Sequence, residues 1–211
     1  MNEEQAILDF FARTENLQLG LSVAEQMDGI RMQMNNRFWR ELSESLERLN
    51  NEHMLAWQIT LTGDKNAPDS LVGLYCTPHA EQLVFLRPML EQQNLGGDWR
   101  IYFGLMWSEV PAPNQLNLPD VTALQTSLQK SGFKSNEHFL AWQWTNFHPR
   151  RKDFLLRYSQ QQEKSLDDIE TTFKALLITH GKAIEQANEA LKTAPDSLIE
   201  SLKRLRNELL E

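Results

Sequence analysis

The stretch NNEHMLAWQITL, residues 50–61, is where the pattern of apolar residues changes from a helical period to an extended one. Before it, apolar residues recur at steps of three and four, which predicts a helix with one buried stripe over about 22–49. After it, residues 54–61 alternate as a strand does, and Gly63-Asp64 ends the run. The helical stripe comprises Val23, Met27, Ile30, Met34, Phe38, Leu42, Leu46 and Leu49.

Further strands are predicted downstream of this change. Four consecutive strands with short connections favour an antiparallel meander over a parallel sheet. A helix over 120–131 and a fifth strand, NEHFLAWQWT at 136–145, follow. The strands after the first are predicted at 71–76, 82–86 and 99–107, with turns at Pro78-His79 and Gly96-Gly97-Asp98.

Both ends of the chain are predicted to be helical. Residues 3–13 form a short helix, and Gly20 is the predicted break before the long one. A piece at 153–158 is extended or helical; a long helix then begins at Ser165, its stripe interrupted at His180-Gly181, and stops at Pro195. Another helix begins at Ser197.

These elements predict a single α+β domain over residues 1–211 with about five mostly antiparallel strands. Residues 1–50 form a helical arm, residues 51–160 a sheet with one inserted helix, and residues 161–211 long helices packed on the sheet.

Composition narrows the class of protein. The chain has a net charge of −8, which argues against a protein built mainly to neutralise phosphates. Cys76 is its only cysteine, which excludes an intrachain disulfide and suits a reducing cytoplasm. No apolar run approaches the length of a membrane span, and the acidic start MNEEQAILDFF is unlike a secretory signal.

An eight-residue motif occurs twice, as NEHMLAWQ at 51–58 and NEHFLAWQ at 136–143. A functional interpretation brings His53 and His138 together on a metal or a phosphate. The structural interpretation, which we favour, is two strands that each begin with an Asn-Glu-His turn and place a tryptophan in the core.

No catalytic, metal or cofactor site is predicted. Cys76 and His79 form a C-x-x-H, but no second pair has zinc-like spacing. Asp69 with Glu81 imitates the paired carboxylates of a metal-dependent nuclease, but Leu83 stands where a lysine is needed.

The most suggestive polar stretch is Phe-His-Pro-Arg-Arg-Lys at 147–152. Basic residues beside aromatic ones can hold phosphates and stack bases, so Arg150, Arg151, Lys152 and Trp144 are candidate nucleic-acid contacts. A solvated turn that balances an acidic protein is the simpler interpretation.

The C-terminal helices are candidates for contact with another chain. The last one carries a leucine seam that can cover the protein's own core or pair with a partner or a second copy. The seam comprises Leu198, Leu202, Leu205 and Leu209.

Several stretches resemble the region C-terminal to the nuclease domain in bacterial, defence-associated proteins of the PD-(D/E)XK superfamily. They are NNRFWRELSESLERL, WRIYFGLMW and HFLAWQW, followed by a long closing helix. The catalytic Asp…Glu-x-Lys set of that superfamily is incomplete in this chain, so the resemblance implies an accessory, recognition or assembly region.

The sequence therefore predicts a non-catalytic interaction or assembly module of a bacterial cytoplasmic system. It binds a protein partner or itself through its terminal helices. The alternative is a nucleic-acid-binding or PD-(D/E)XK-nuclease-related protein that acts on DNA or RNA.

Overall fold

The computed structural model describes residues 2–53, 55, 57–63, 65–66, 71–78, 84–94 and 99–194. Six helices and five strands lie in this described part. The helices are α1 Glu3–Phe11, α2 Thr14–Glu52, α3 Pro113–Leu116, α4 Pro119–Lys130, α5 Lys152–Gln160 and α6 Gln162–Thr193. The strands are β1 Trp57–Leu61, β2 Val72–Pro78, β3 Leu86–Gln92, β4 Ile101–Trp107 and β5 Phe139–Trp144.

The predicted α+β architecture is confirmed. The five strands form one sheet in the order β1-β2-β3-β4-β5, and every neighbouring pair is antiparallel. Chain order and spatial order coincide because the connections are short, apart from the α3–α4 insertion before β5. None of the described helices combines the length and apolar content that crossing a membrane requires.

One face of the sheet carries the core. Alternate residues of β2 and β4 point to this face and belong to one core with buried residues of α4, α6 and the second half of α2. These three helices contact the sheet at β5, β3 and β1, respectively. Asn188 of α6 bonds the backbone of Leu86 twice, with its Nδ2 2.9 Å from the carbonyl oxygen and its Oδ1 2.7 Å from the amide nitrogen. The sheet part of the core includes Val72, Leu74, Cys76, Leu86, Leu90, Ile101, Phe103, Leu105 and Trp107.

Several boundaries differ from the sequence prediction, and two of the differences have a clear physical reason. The third strand is Leu86–Gln92 rather than 82–86, and Pro88 lies inside it. Proline lacks the N–H that a central strand needs, but the pairing of β3 with β2 covers only Met89–Gln92 and leaves Pro88 outside.

The first helix break is at residues 12–13 and not at Gly20, which lies inside α2. A Cβ at position 20 would stand 2.9 Å from Cδ1 of Phe11. Glycine there allows α1 to fold back closely onto α2, so its role is packing and not helix termination. In the long C-terminal helix the buried stripe is interrupted as predicted, since His180 and Gly181 are only partly buried, and the helix itself continues through both.

The repeated motif has two different structural roles. Trp57, at the start of β1, is 7% exposed and belongs to the core. Trp142 in β5 is only half-buried and packs edge-on against Tyr102 and Trp144 on the opposite face of the sheet. The prediction that both tryptophans enter the core is right for Trp57 and wrong for Trp142, because the two strands present opposite faces to the helices.

The N-terminal arm, residues 3–34, stands apart from this core. The buried residues of α2 begin at Asn35, and α1 has none. At 1.5 Å per residue, the part of α2 from Thr14 to Met34 is about 30 Å long. The arm is therefore a helical hairpin with no fully buried side chain, and only Met34 at its base packs against the core.

Candidate functional site: a basic groove between two helices

The predicted basic cluster lies where the chain leaves the sheet and enters α5. The amide of Arg151 donates to the carbonyl of His148 over 2.9 Å, which closes a turn, and Lys152 is the first residue of α5. Cations are unfavourable at a helix N-terminus because the helix dipole is positive there. The exposed Arg151 and Lys152 therefore add to a positive potential that the backbone already creates.

Arg150 connects this cluster to the arm. Its side chain is 10% exposed, and its Nη2 lies 2.8 Å from Oδ1 of Asp28 on α2. The guanidinium carbon also lies 4.1 Å from the centre of the Trp99 ring, close enough for a cation–π contact. The Nε of Arg150 is buried and has no hydrogen-bond partner among the described residues.

Trp99 adopts a strained backbone. Its φ of 55° makes it the one non-glycine residue in the left-handed region in the described part of the chain. Its amide donates to the carbonyl of Gln93 over 3.0 Å, which holds this conformation. In this conformation the Trp99 indole lies under the Arg150 guanidinium.

Two adjoining cavities lie along these residues, and together we call them the α2–α5 groove. The first has a volume of about 770 Å³ and the second of about 350 Å³, and they share Arg31, Lys152 and Leu156. The first is charged, with a lining completed by Asp28, Trp99, Arg150, Arg151 and Asp153. The second is mainly apolar, with a lining completed by Met27, Ile30, Met34, Leu155 and Ser159.

A polar cluster at the end of α5 positions the wall of this groove. Glu41 of α2 accepts hydrogen bonds from Arg37, from the Tyr158 hydroxyl and, over 2.8 Å, from the Gln162 amide. Burial by itself would raise the pKa of the Glu41 carboxyl. The hydrogen bonds from Arg37 and Tyr158 outweigh burial, so the pKa is lowered and the carboxylate is retained.

The structure brings three of the four predicted nucleic-acid contacts together. Arg150, Arg151 and Lys152 line the same cavity, whereas Trp144 is not part of its lining. Trp144 lies on the far face of the sheet, 5.3 Å from the Tyr102 ring and 5.2 Å from the Arg100 guanidinium carbon.

The sequence analysis did not identify the other five residues that line the charged cavity, which are Asp28, Arg31, Trp99, Asp153 and Leu156. Asp28 and Arg31 are ordinary surface positions of a predicted helix, so no local signal marks them. Trp99 had one signal, because an aromatic residue directly follows the predicted Gly96-Gly97-Asp98 turn.

Several predicted positions lie outside the described residues: Asp69, His79, Glu81, Leu198, Leu202, Leu205 and Leu209. Among the residues that the structure does describe, no three His, Cys, Asp or Glu side chains are grouped so that they could hold a metal ion. Cys76 is buried in the core, and burial raises the pKa of its thiol to about 12, so it is a poor nucleophile at neutral pH.

A second polar cluster lies on the far face of the sheet. Glu91 of β3 is 1% exposed and accepts hydrogen bonds from the hydroxyls of Tyr75 and Tyr102, one on each carboxyl oxygen. Both donors come from neighbouring strands, so the contact joins β2, β3 and β4. Since both oxygens of Glu91 are satisfied, we interpret this cluster as structural.

All three tyrosines of the chain have raised pKa values. Burial is the main cause for Tyr75, Tyr102 and Tyr158, and the carboxyl group that each hydroxyl contacts adds to the effect. A raised pKa means that folding opposes ionisation. The resulting stability is therefore complete below about pH 10, the ordinary tyrosine pKa, and is lost as the pH rises above it.

We expect native protein to show almost no tyrosinate absorbance somewhat above pH 10, and a steep cooperative rise when alkali unfolds it. Ultraviolet absorbance and circular dichroism followed in one alkaline titration check this. Protein unfolded in guanidinium chloride is the control and should titrate near pH 10. Stepwise ionisation near pH 10 in the folded protein would contradict the buried geometry.

Comparison with protein-family models, with curated proteins and with solved structures finds no match to this chain.

Proposed function

We propose that this chain is a non-catalytic assembly module that self-associates through its N-terminal arm. The main observation in support of this proposal is the apolar surface of that arm. Ten of the fifteen exposed large hydrophobic side chains of the described residues lie between positions 7 and 32. Single exposed hydrophobic residues are ordinary, but a concentration of them on one element marks an interaction surface. They are Ile7, Leu8, Phe10, Leu17, Leu19, Leu21, Val23, Met27, Ile30 and Met32.

Burial of its apolar side chains against a partner also stabilises the helices of the arm. Isolated helices gain little stability from backbone propensity alone, and packing of an apolar face normally supplies the rest. Each leucine removed from water contributes about 2 kcal/mol, and the arm has yet to gain this for Leu17, Leu19 and Leu21. A second copy supplies an equivalent apolar arm, and two like arms can pack as helical hairpins do.

The resemblance noted in the sequence supports an accessory role in a bacterial cytoplasmic, defence-related system. The resemblance rests on the aromatic stretches NNRFWRELSESLERL, WRIYFGLMW and HFLAWQW. The chain departs from the superfamily in its incomplete Asp…Glu-x-Lys set, and this departure favours an accessory role over a nuclease. A module without that set acts by binding, which is consistent with a large exposed contact surface on the arm.

A second candidate function, binding of nucleic acid, is favoured by one observation. Arg150, Arg151 and Lys152 line a single cavity together with the Trp99 ring. Cations beside an aromatic plane are the elements with which proteins hold single-stranded nucleic acid. The net charge of −8 and the pairing of Arg150 with Asp28 weigh against it.

The test is the mass of the protein in solution, measured by light scattering over a range of concentrations. We expect an oligomer, and we expect Leu17→Glu/Leu21→Glu to weaken association more than about tenfold, because two leucines no longer leave water. Gln18→Glu/Ser22→Glu is the matched control. It adds the same charges at the same spacing on a polar face of the arm.

Three other outcomes of this measurement would change the proposal. A wild-type monomer at every concentration would overturn the proposal. An oligomer that tolerates the leucine substitutions but is lost on deletion of 196–211 would move the interface to the predicted Leu198–Leu209 seam. A monomer that gains mass only with short DNA at low salt would support the second candidate, since phosphate contacts weaken steeply with salt.

A further inference from the structure

The α2–α5 groove and helix α1 have complementary patterns of charge and apolar surface. We infer that the groove receives α1 of a second copy of this chain. This inference rests on the proposed self-association and adds to it the pair of surfaces that meet.

The groove changes from basic to apolar along α5. Its charged end has four cations, Arg31, Arg150, Arg151 and Lys152, against two carboxylates, Asp28 and Asp153. No ion pair of Arg31, Arg151 or Lys152 is formed with the residues that the structure describes.

One to two turns further along α5 the lining becomes apolar. Leu155 and Leu156 face the methionine-rich surface of α2 there, across a cavity of about 350 Å³. Methionine side chains adapt to the shape of an incoming apolar residue, which suits a surface that must accept a helix. An occupant of this groove therefore needs an acidic end followed by an apolar stretch.

Helix α1 presents that order. Its first turn contains Glu3 and Glu4, and the next turns carry Ile7, Leu8 and Phe10, which are 46–58% exposed. Both α1 and α5 have nine residues, about 13 Å of helix, so the acidic turn and the apolar turns match the two ends of the groove.

The protomer itself leaves this surface of α1 unused. On its own α2, the ring of Phe11 lies against Gly20, but no residue of α1 is buried. No α1 residue lines either cavity of the groove. The acidic and apolar side chains of α1 are therefore available to a neighbour.

Symmetry supports a second copy as the occupant. The groove follows α2 from Met27 to Met34, towards the base of the same arm whose tip is the turn between α1 and α2. Two copies can therefore exchange α1 reciprocally about a two-fold axis, and each contact is made twice in a closed dimer. Opposite charges at one end of each contact set the register of the helix in the groove.

A charge exchange tests this contact. Glu3→Lys/Glu4→Lys makes α1 basic, and Arg151→Glu/Lys152→Glu makes the groove acidic. Each variant alone is expected to dimerise at least about tenfold more weakly than wild type, because like charges then meet. An equimolar mixture of the two is expected to recover dimers, since each α1 then finds a groove of opposite sign.

Lys130→Glu/Lys182→Glu is the control, with the same change of charge at exposed positions outside the groove. It should dimerise as wild type does. Circular dichroism of every variant verifies folding, and recovery in the mixture cannot arise from misfolded chains. The groove variants also place carboxylates at the N-terminus of α5, where the helix dipole favours them.

The outcomes of the charge exchange separate failure of this inference from failure of the proposed self-association. Recovery of the mixed dimer supports the inference. A wild-type dimer whose association is unchanged in both variants, or variants that stay dissociated when mixed, would overturn the inference and leave assembly through the arm standing. A wild-type monomer would overturn both.

Discussion

Gly104→Ala is expected to lower the free energy of unfolding by about 3 kcal/mol and the melting temperature by about 6–12 °C. A Cβ at this position would stand 2.0 Å from the carbonyl oxygen of Ala141 and 2.7 Å from Cα of Trp142. These are backbone atoms of β5, so no rotation of a side chain can relieve the clash. Relief requires β4 and β5 to separate, which strains hydrogen bonds of the sheet.

Chemical denaturation with linear extrapolation measures this effect. Gly29→Ala is the matched control, because a Cβ there meets nothing within 4 Å. Gly29 lies in the exposed part of α2, so alanine should leave the stability unchanged or raise it by up to about 1 kcal/mol. Equal stability of the two variants would show that β4 and β5 are not packed as described.

Tyr102→Phe is expected to cost about 2 kcal/mol or more of stability. The change removes the donor to one oxygen of Glu91, whose side chain has almost no access to water. A buried acceptor left without a partner costs its full desolvation penalty, and carboxyl groups are at the upper end of that range. Tyr75→Phe should behave alike, since its hydroxyl serves the other oxygen of Glu91.

Tyr158→Phe is the control for this prediction. Its hydroxyl also donates to a carboxyl, but Glu41 keeps the Arg37 Nε at 2.8 Å and the Gln162 amide at 2.8 Å. We therefore expect a loss below about 1 kcal/mol in the same denaturation experiment. A Tyr102→Phe protein as stable as Tyr158→Phe would mean that water reaches Glu91.

The elements that the sequence predicted best have a long and regular period. The second half of α2 buries Phe38, Leu42, Leu46 and Leu49, all four of which belong to the predicted stripe. The first half keeps the same period, yet Val23, Met27 and Ile30 are exposed. Periodicity predicts a helix and its apolar face, but it does not say whether the chain itself has anything to cover that face.

Only part of the candidate site could be predicted from the sequence. Arg150, Arg151 and Lys152 form one local run, so they could be identified together. Their partners Asp28 and Trp99 lie 122 and 51 positions earlier in the chain, and neither belongs to a motif. Contacts between residues so far apart depend on how the folded chain brings α2, the N-terminus of α5 and the residues before β4 together, which no local pattern records.

By itself, the sequence determined the α+β class, the antiparallel sheet of five strands and the helices that precede and follow the sheet in the chain. These features depend on residue period and turn residues, which act over a few neighbouring positions. Only the tertiary structure decided that Trp57 enters the core while Trp142, in the same motif, packs on the other face. It also decided that a basic run and an apolar helix face form one groove. Both results depend on strand order and on how the helices cover the sheet, and these are properties of the whole packed chain.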